Sequence, residues 1–195
     1  MSRSPTVPRF FVSAGIAFLL LTLLWMQVAA WTSYPAASIA QILLDSNAEE
    51  WVQTTHNAPG QLRAETQFRK VLSPTQIATP VAVVEPAHYT YGTMLFLALL
   101  LASRSQHFFK RALVGYAVLL FPQATSLVFV ILYQIIQEIP VELLKVVPWQ
   151  LVGIAVGQLF ATVVLPTLVP VALWLWMERE FVRALARDTG ASHPR

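Results

Sequence analysis

From Trp149 to Met177 the chain reads WQLVGIAVGQLFATVVLPTLVPVALWLWM, and no charge occurs between Lys145 and Glu178. At about 1.5 Å of rise per residue, such a helix crosses a hydrocarbon core of about 30 Å with length to spare for tilt. A water-soluble helix of this length needs a polar face, and the strongly polar side chains here are Gln150 and Gln158. The stretch therefore predicts a membrane-spanning helix, with Trp149 at one interface and Trp174 and Trp176 at the other. The residues that follow, MEREFVRALARDTGASHPR, carry Arg179, Arg183, Arg187 and Arg195. A basic cluster of this kind belongs on the cytoplasmic side, so the helix runs from outside to inside.

Composition generalises the point. Of the 195 residues 56% are hydrophobic and only 12% charged, against about 25% charged in a soluble domain. Mean hydropathy is +0.58. The apolar residues fall in four blocks, the pattern of a polytopic membrane protein. The net charge of +3 does not indicate nucleic acid, because the basic residues cluster at the ends of apolar blocks rather than on a soluble face. The absence of cysteine excludes disulfides, thiolate metal sites and cysteine nucleophiles.

The first apolar block is FFVSAGIAFLLLTLLWMQVAAW, preceded by Arg3 and Arg9 and closed by Trp25 and Trp31. Val28-Ala29-Ala30 resembles a small-residue cleavage site, so a signal peptide competes with an uncleaved anchor. The block is longer than a usual signal core and ends in tryptophan, which favours the anchor. Residues 1–31 are thus a cytoplasmic tail and the first transmembrane helix.

Residues 32–87 are the one sizeable polar segment. SYPAASIAQILLDSNAEEWVQ places Ile39, Ile42, Leu43 and Trp51 near helical spacing and predicts an amphipathic helix near the membrane surface. Asn57-Ala58-Pro59-Gly60 is a turn. In QLRAETQFRKVL, Leu62, Ala64, Thr66 and Phe68 alternate with Arg63, Glu65, Gln67 and Arg69, the pattern of a half-buried strand. Ser73-Pro74 breaks it, and TPVAVVEP supplies a second strand. Two strands are marginal alone, so the segment must lean on its helix, on the membrane or on another protein.

A second, short span begins at His88–Tyr91 and ends near Arg104. A third, about Ala112 to Gln137, contains Pro122, which is expected to kink it. Arg3, Arg9, Arg104, Lys110, Arg111 and the four C-terminal arginines fall inside, and only Arg63, Arg69, Lys70 and Lys145 outside. The predicted fold is therefore an integral membrane, mainly α protein. It has four transmembrane helices, with a small external α+β insertion, a helix plus a β-hairpin or small sheet, between helices 1 and 2. Residues 88–178 hold helices 2–4, and 179–195 form a basic cytoplasmic tail. Both termini lie in the cytoplasm, and 32–87 face the periplasm.

No residue pattern here carries catalysis. Glu85 and His88 are three apart, but Pro86 lies between them and no third metal ligand is evident. There is no HExxH, GxSxG or phosphate loop, and no charge lies deep in a span. No catalytic residue, metal or cofactor is expected. The best physical motif is Gly153-x-x-x-Gly157-x-x-x-Ala161, whose small side chains let another backbone approach, while Gln158 offers an interhelical hydrogen bond. Either this chain's own helices or a different protein would pack there.

Glu85-Pro86-Ala87-His88-Tyr89-Thr90-Tyr91-Gly92, running into TMLFLALLLAS after a small external β segment, resembles the exosortase H-associated membrane protein family. A basic loop and Gly115 of the next span come after it. Glu85, Pro86, Tyr89, Tyr91 and Gly92 are the family-like junction. The resemblance implies an accessory role beside an exosortase, a membrane-embedded, cysteine-dependent sorting enzyme for proteins with a C-terminal signal. This cysteine-free chain would be the partner of that transpeptidase rather than the transpeptidase itself. A non-enzymatic accessory subunit in the bacterial inner membrane is the leading expectation, contacting lipid and another membrane protein but no nucleic acid. The alternative is a small transporter or channel subunit, with Gln123, Gln134 and Gln158 lining a polar path.

Overall fold

The computed structural model describes residues 7–73, 76–105, 107–144 and 146–191. Its chain order is α1 (Val7–Thr32), α2 (Tyr34–Asn47), β1 (Val52–Ala58), β2 (Gln61–Thr66), β3 (Lys70–Ser73), β4 (Gln76–Ala78) and β5 (Val81–Val84). Helices α3 (Ala87–Thr90), α4 (Gly92–Ala102), α5 (Phe108–Glu138), α6 (Val141–Leu144) and α7 (Pro148–Leu159) follow. A π-helical turn at Phe160–Val164 then leads into α8 (Leu165–Met177), and α9 (Arg179–Ala191) closes the described chain.

Among the described residues, three helical stretches are long and apolar enough to cross a membrane: Pro8–Asn47, Phe108–Glu138 and Pro148–Met177. The expected second span is shorter. Its apolar helix, Ala87–Ala102, falls in the 10–17 residue class, so at about 1.5 Å per residue it reaches less than the about 30 Å of a hydrocarbon core. The third span begins at Phe108 rather than near Ala112, and it passes through Pro122 as one helix.

Contacts divide the chain into two units. The first comprises residues 1–27, 91–119 and 167–195. Its core is Phe10, Phe96, Leu100, Leu119 and Trp174, with Leu173, Phe181 and Leu185 packed against it. Phe10 stacks on Trp174 with ring centroids 5.5 Å apart, and Phe181 meets Phe10 at 5.4 Å. Gly115 permits a close approach, since a Cβ there would lie 2.2 Å from the Phe96 ring. Phe181, Val182 and Leu185 of α9 thus pack against this core. Within the stretch 179–195, these three residues recur at helical spacing and give the segment a face to bury.

The second unit comprises residues 28–90 and 120–166. Here α1 gives way to α2 at Ser33, because Pro35 has no N–H to continue the ladder. The Ser33 hydroxyl donates to the Ala29 carbonyl at 2.7 Å, holding the bend. The sheet has order β1-β2-β5, antiparallel throughout, with a separate β3-β4 ladder. The β1–β2 hairpin closes over Pro59-Gly60, and Gly60 has φ of +85°, a conformation that favours glycine. Register on the other side pairs Leu62 with Val84 and Ala64 with Ala82. Leu62, Ala64 and Thr66 are buried as the alternation predicts.

Three expectations about this segment need correction. The helix ends at Asn47 instead of running through Trp51, and Val52–Ala58 is a strand. Its Val52, Thr54 and Thr55 are β-branched, and they prefer a pleated surface to a helix. The strand predicted over 61–72 stops at Thr66, with Lys70–Ser73 in the second ladder; Pro74 of the expected break lies outside the described residues. The buried face of α2 is Ala36, Ala37, Ala40 and Leu44, while Ile42 is exposed. Small side chains at these positions let the helix lie close on the sheet, and three side-chain bonds fix it there. Gln41 Nε2 donates to the Thr55 carbonyl at 3.1 Å, Thr55 Oγ1 to Asp45 at 2.7 Å, and Asn57 Nδ2 to Ser38 Oγ at 2.9 Å. The same core continues into Ala124, Leu127, Ile131 and Ile135 of α5, so the sheet shares its apolar side with a long helix.

Candidate functional site

The small-residue helix is split by its own packing. At Gly157 a Cβ would stand 2.3 Å from the Phe129 ring, so this glycine is where α5 and α7 come together. Ala161 is fully buried. Gly153, one turn earlier, meets nothing within 4 Å, and around it Trp149, Val152 and Val156 are exposed. Gln158 uses its amide within the same helix, donating to Thr162 Oγ1 at 3.2 Å. The π turn has a local cause. Pro166 lacks the N–H that would bond to Thr162, and its ring presses on that carbonyl. Widening the preceding turn by one residue relieves the conflict, and Leu165 N–H donates to the Phe160 carbonyl across it.

The junction residues have divided roles. Pro86 is fully buried, and Tyr89 packs against the core of the second unit. Glu85 and His88 face each other at 3.5 Å with most of both side chains exposed, and no metal-holding cluster occurs among the described residues. Tyr91 and Gly92 belong to the first unit, where Gly92 is buried and the Tyr91 carbonyl accepts the Met94 N–H at 2.9 Å. Of the three glutamines, Gln123 is buried and its amide donates to the Thr90 carbonyl at 3.4 Å.

One constellation escapes a reading of the sequence. Arg111, near the start of α5, forms an ion pair with Glu178, the residue between α8 and α9. Glu178 is 7% exposed, and a second guanidinium bond runs from Arg111 to Ser105 Oγ at 2.9 Å. A carboxylate so far removed from water needs such a partner. The pair helps to line a cleft of about 610 Å³, together with Ser103–Ser105 and residues 176–181. Arg104 and Arg179 stand exposed on its walls. The sequence separation of the pair, 67 positions, hides it. The available signal is that Glu178 is the first charge after the apolar stretch Pro148–Met177.

Long apolar helices with exposed Phe11, Leu19, Leu23, Val152, Leu159 and Trp176 define a multi-pass membrane protein. The chain belongs to the exosortase H-associated membrane protein family, whose pattern it matches over residues 4–181. No curated protein matches the chain, and no solved structure does.

Proposed function

We propose that the chain is a non-enzymatic accessory subunit, a scaffold for an exosortase-type sorting system in the bacterial inner membrane. Family membership supplies the system. The observation that carries the accessory role is the unburied face of the Pro148–Met177 helix. Only 11% of its most apolar part is buried, as in Pro8–Asn47 and against 44% for Phe108–Glu138, and what sets it apart is Gly153, open to an incoming backbone. Where a lipid-facing helix needs only bulk apolar groups, a glycine between large side chains offers a notch for a partner helix. The exosortase, a cysteine-dependent membrane enzyme, is the proposed occupant. In this reading four spans place both termini in the cytoplasm, and residues 32–87 lie in the periplasm beside the enzyme or its substrate's sorting signal.

The test is affinity purification of the tagged chain from its native membrane in mild detergent, with mass spectrometry of what accompanies it. Gly153→Leu is the informative variant because nothing in this chain meets a side chain there; Gly157→Leu would disturb Phe129 as well. Recovery of a sorting transpeptidase with the wild type, and its loss with Gly153→Leu, is expected. A chain that comes out alone, or retains the enzyme with leucine at 153, removes the proposed contact.

A further inference from the structure

Helix α9 spends its apolar side on protein. Phe181, Val182 and Leu185 pack against the core of the first unit. On the opposite side Arg179, Arg183 and Arg187 are exposed. At four-residue intervals their directions fall within about 80° of one another around the helix axis. Among the described residues no ion pair engages any of the three. Arg104 adds a fourth exposed guanidinium on the cleft that Arg179 also lines. Arg111 is held by Glu178, so that carboxylate is already neutralised and does not oppose an anion. Glu180, exposed on the same cleft, is an opposing charge.

The position of this surface identifies what it meets. Met177 ends the apolar 30-residue stretch Pro148–Met177, and α9 starts two residues later. Trp176, 72% exposed, marks the last turn, where an indole favours the headgroup level of a bilayer. A surface helix that binds membranes usually inserts its apolar face; here that face is occupied, and charge is what α9 has left to present. We infer that the α9 arginine stripe, with Arg104 across the cleft, is a docking surface for the phosphates of anionic phospholipids in the membrane the chain occupies. Arginine suits this role because its planar fork grips phosphate oxygens in pairs. The surface would fix the end of the Pro148–Met177 helix at the headgroup level. It rests on the membrane location of the chain and is independent of the accessory role.

The experiment is native mass spectrometry of the full-length protein in neutral detergent, titrated separately with short-chain phosphatidylglycerol and phosphatidylcholine. Phosphatidylglycerol is expected to bind in preference. Each surface arginine contributes roughly fivefold to binding of an anionic lipid, so Arg179→Gln/Arg183→Gln/Arg187→Gln lowers that affinity on the order of a hundredfold and leaves phosphatidylcholine unchanged. The triple lysine variant, which keeps the charge but loses the paired oxygen contacts, keeps only part of the preference. Glu180→Gln, which needs no loss of function to be read, raises phosphatidylglycerol affinity roughly fivefold. Equal binding of the two lipids overturns the inference, as does a triple glutamine variant that folds and keeps its preference. Displacement of the lipid by inorganic phosphate at matching concentration would reduce the surface to a free-anion site and overturn the lipid assignment.

Discussion

Three glycines with the same side chain, or lack of one, occupy three different environments. A Cβ at Gly115 would run into Phe96, which is fully buried and has nowhere to go. One at Gly157 would meet Phe129, which is half-buried and able to turn. One at Gly153 meets nothing. Alanine is therefore expected to destabilise at Gly115 by about 1–3 kcal/mol through overpacking, by less at Gly157, and to be neutral or to gain up to about 1 kcal/mol at Gly153 from helix propensity. Thermal unfolding of the three variants in one detergent checks the order, and Phe96→Leu should recover part of the Gly115→Ala loss. The Arg111–Glu178 pair is a second residue-scale commitment. Removing one partner of a fully buried pair costs about 3–5 kcal/mol. Arg111 is 34% exposed, so water retains part of its solvation, and Glu178→Ala is expected to cost on the order of 2 kcal/mol. Arg111→Met/Glu178→Leu together should restore most of it; a double variant as unstable as the single would show that the pair is not what Glu178 contributes.

At the scale of elements, the sheet and α2 make one structure. Three strands have a single buried face, and α2 covers it with alanines because a larger side chain would hold the helix away. Leu44 is the exception, a full-sized plug at the end of that face and wholly buried. Leu44→Ala is expected to cost about 2–5 kcal/mol and to expose residues 48–86 to limited proteolysis, whereas Ile42→Ala, at a position 67% exposed, should leave the digestion pattern unchanged. Ile42 drew attention in the sequence because it is large and apolar. The alanines did not, although Ala36, Ala40 and Leu44 recur every four residues. Residue size is a poor guide to burial where two elements must come close. The strand at Val52–Ala58 was obscured similarly, because VQTTHNA lacks the alternation that made Leu62, Ala64 and Thr66 legible, and its pairing with β2 supplies the stabilisation its own pattern does not announce.

For the whole molecule, the question is whether the short helix Ala87–Ala102 crosses the membrane. The cysteine-free chain makes the test clean. Single cysteines at His56 and Arg187, both exposed, report the sides of the α+β segment and of α9 by labelling with an impermeant thiol reagent. Four spans put them on opposite sides, and only His56→Cys reacts in intact spheroplasts. Three spans would put both on the same side, and both would react. Short span length can be met by bilayer thinning or by snorkelling of a flanking arginine such as Arg104, so opposite labelling is the expected result.

The sequence by itself determined the membrane class, the positions of the long apolar helices and the central strand, because these follow from local composition and periodicity; the family came from resemblance at the Glu85–Gly92 junction. Charge-free runs exceed a bilayer's thickness whatever they pack against, and Leu62-x-Ala64-x-Thr66 has one possible buried face. Tertiary structure alone decided which glycine is closed and which is open, that Glu178 pairs with Arg111, that alanines rather than isoleucines cover the sheet, and that α9 is a packed helix with an arginine face. Each of these depends on what comes near a residue from a distant part of the chain. A glycine carries no record of the ring that will fill its space, and a carboxylate carries none of the cation that will neutralise it.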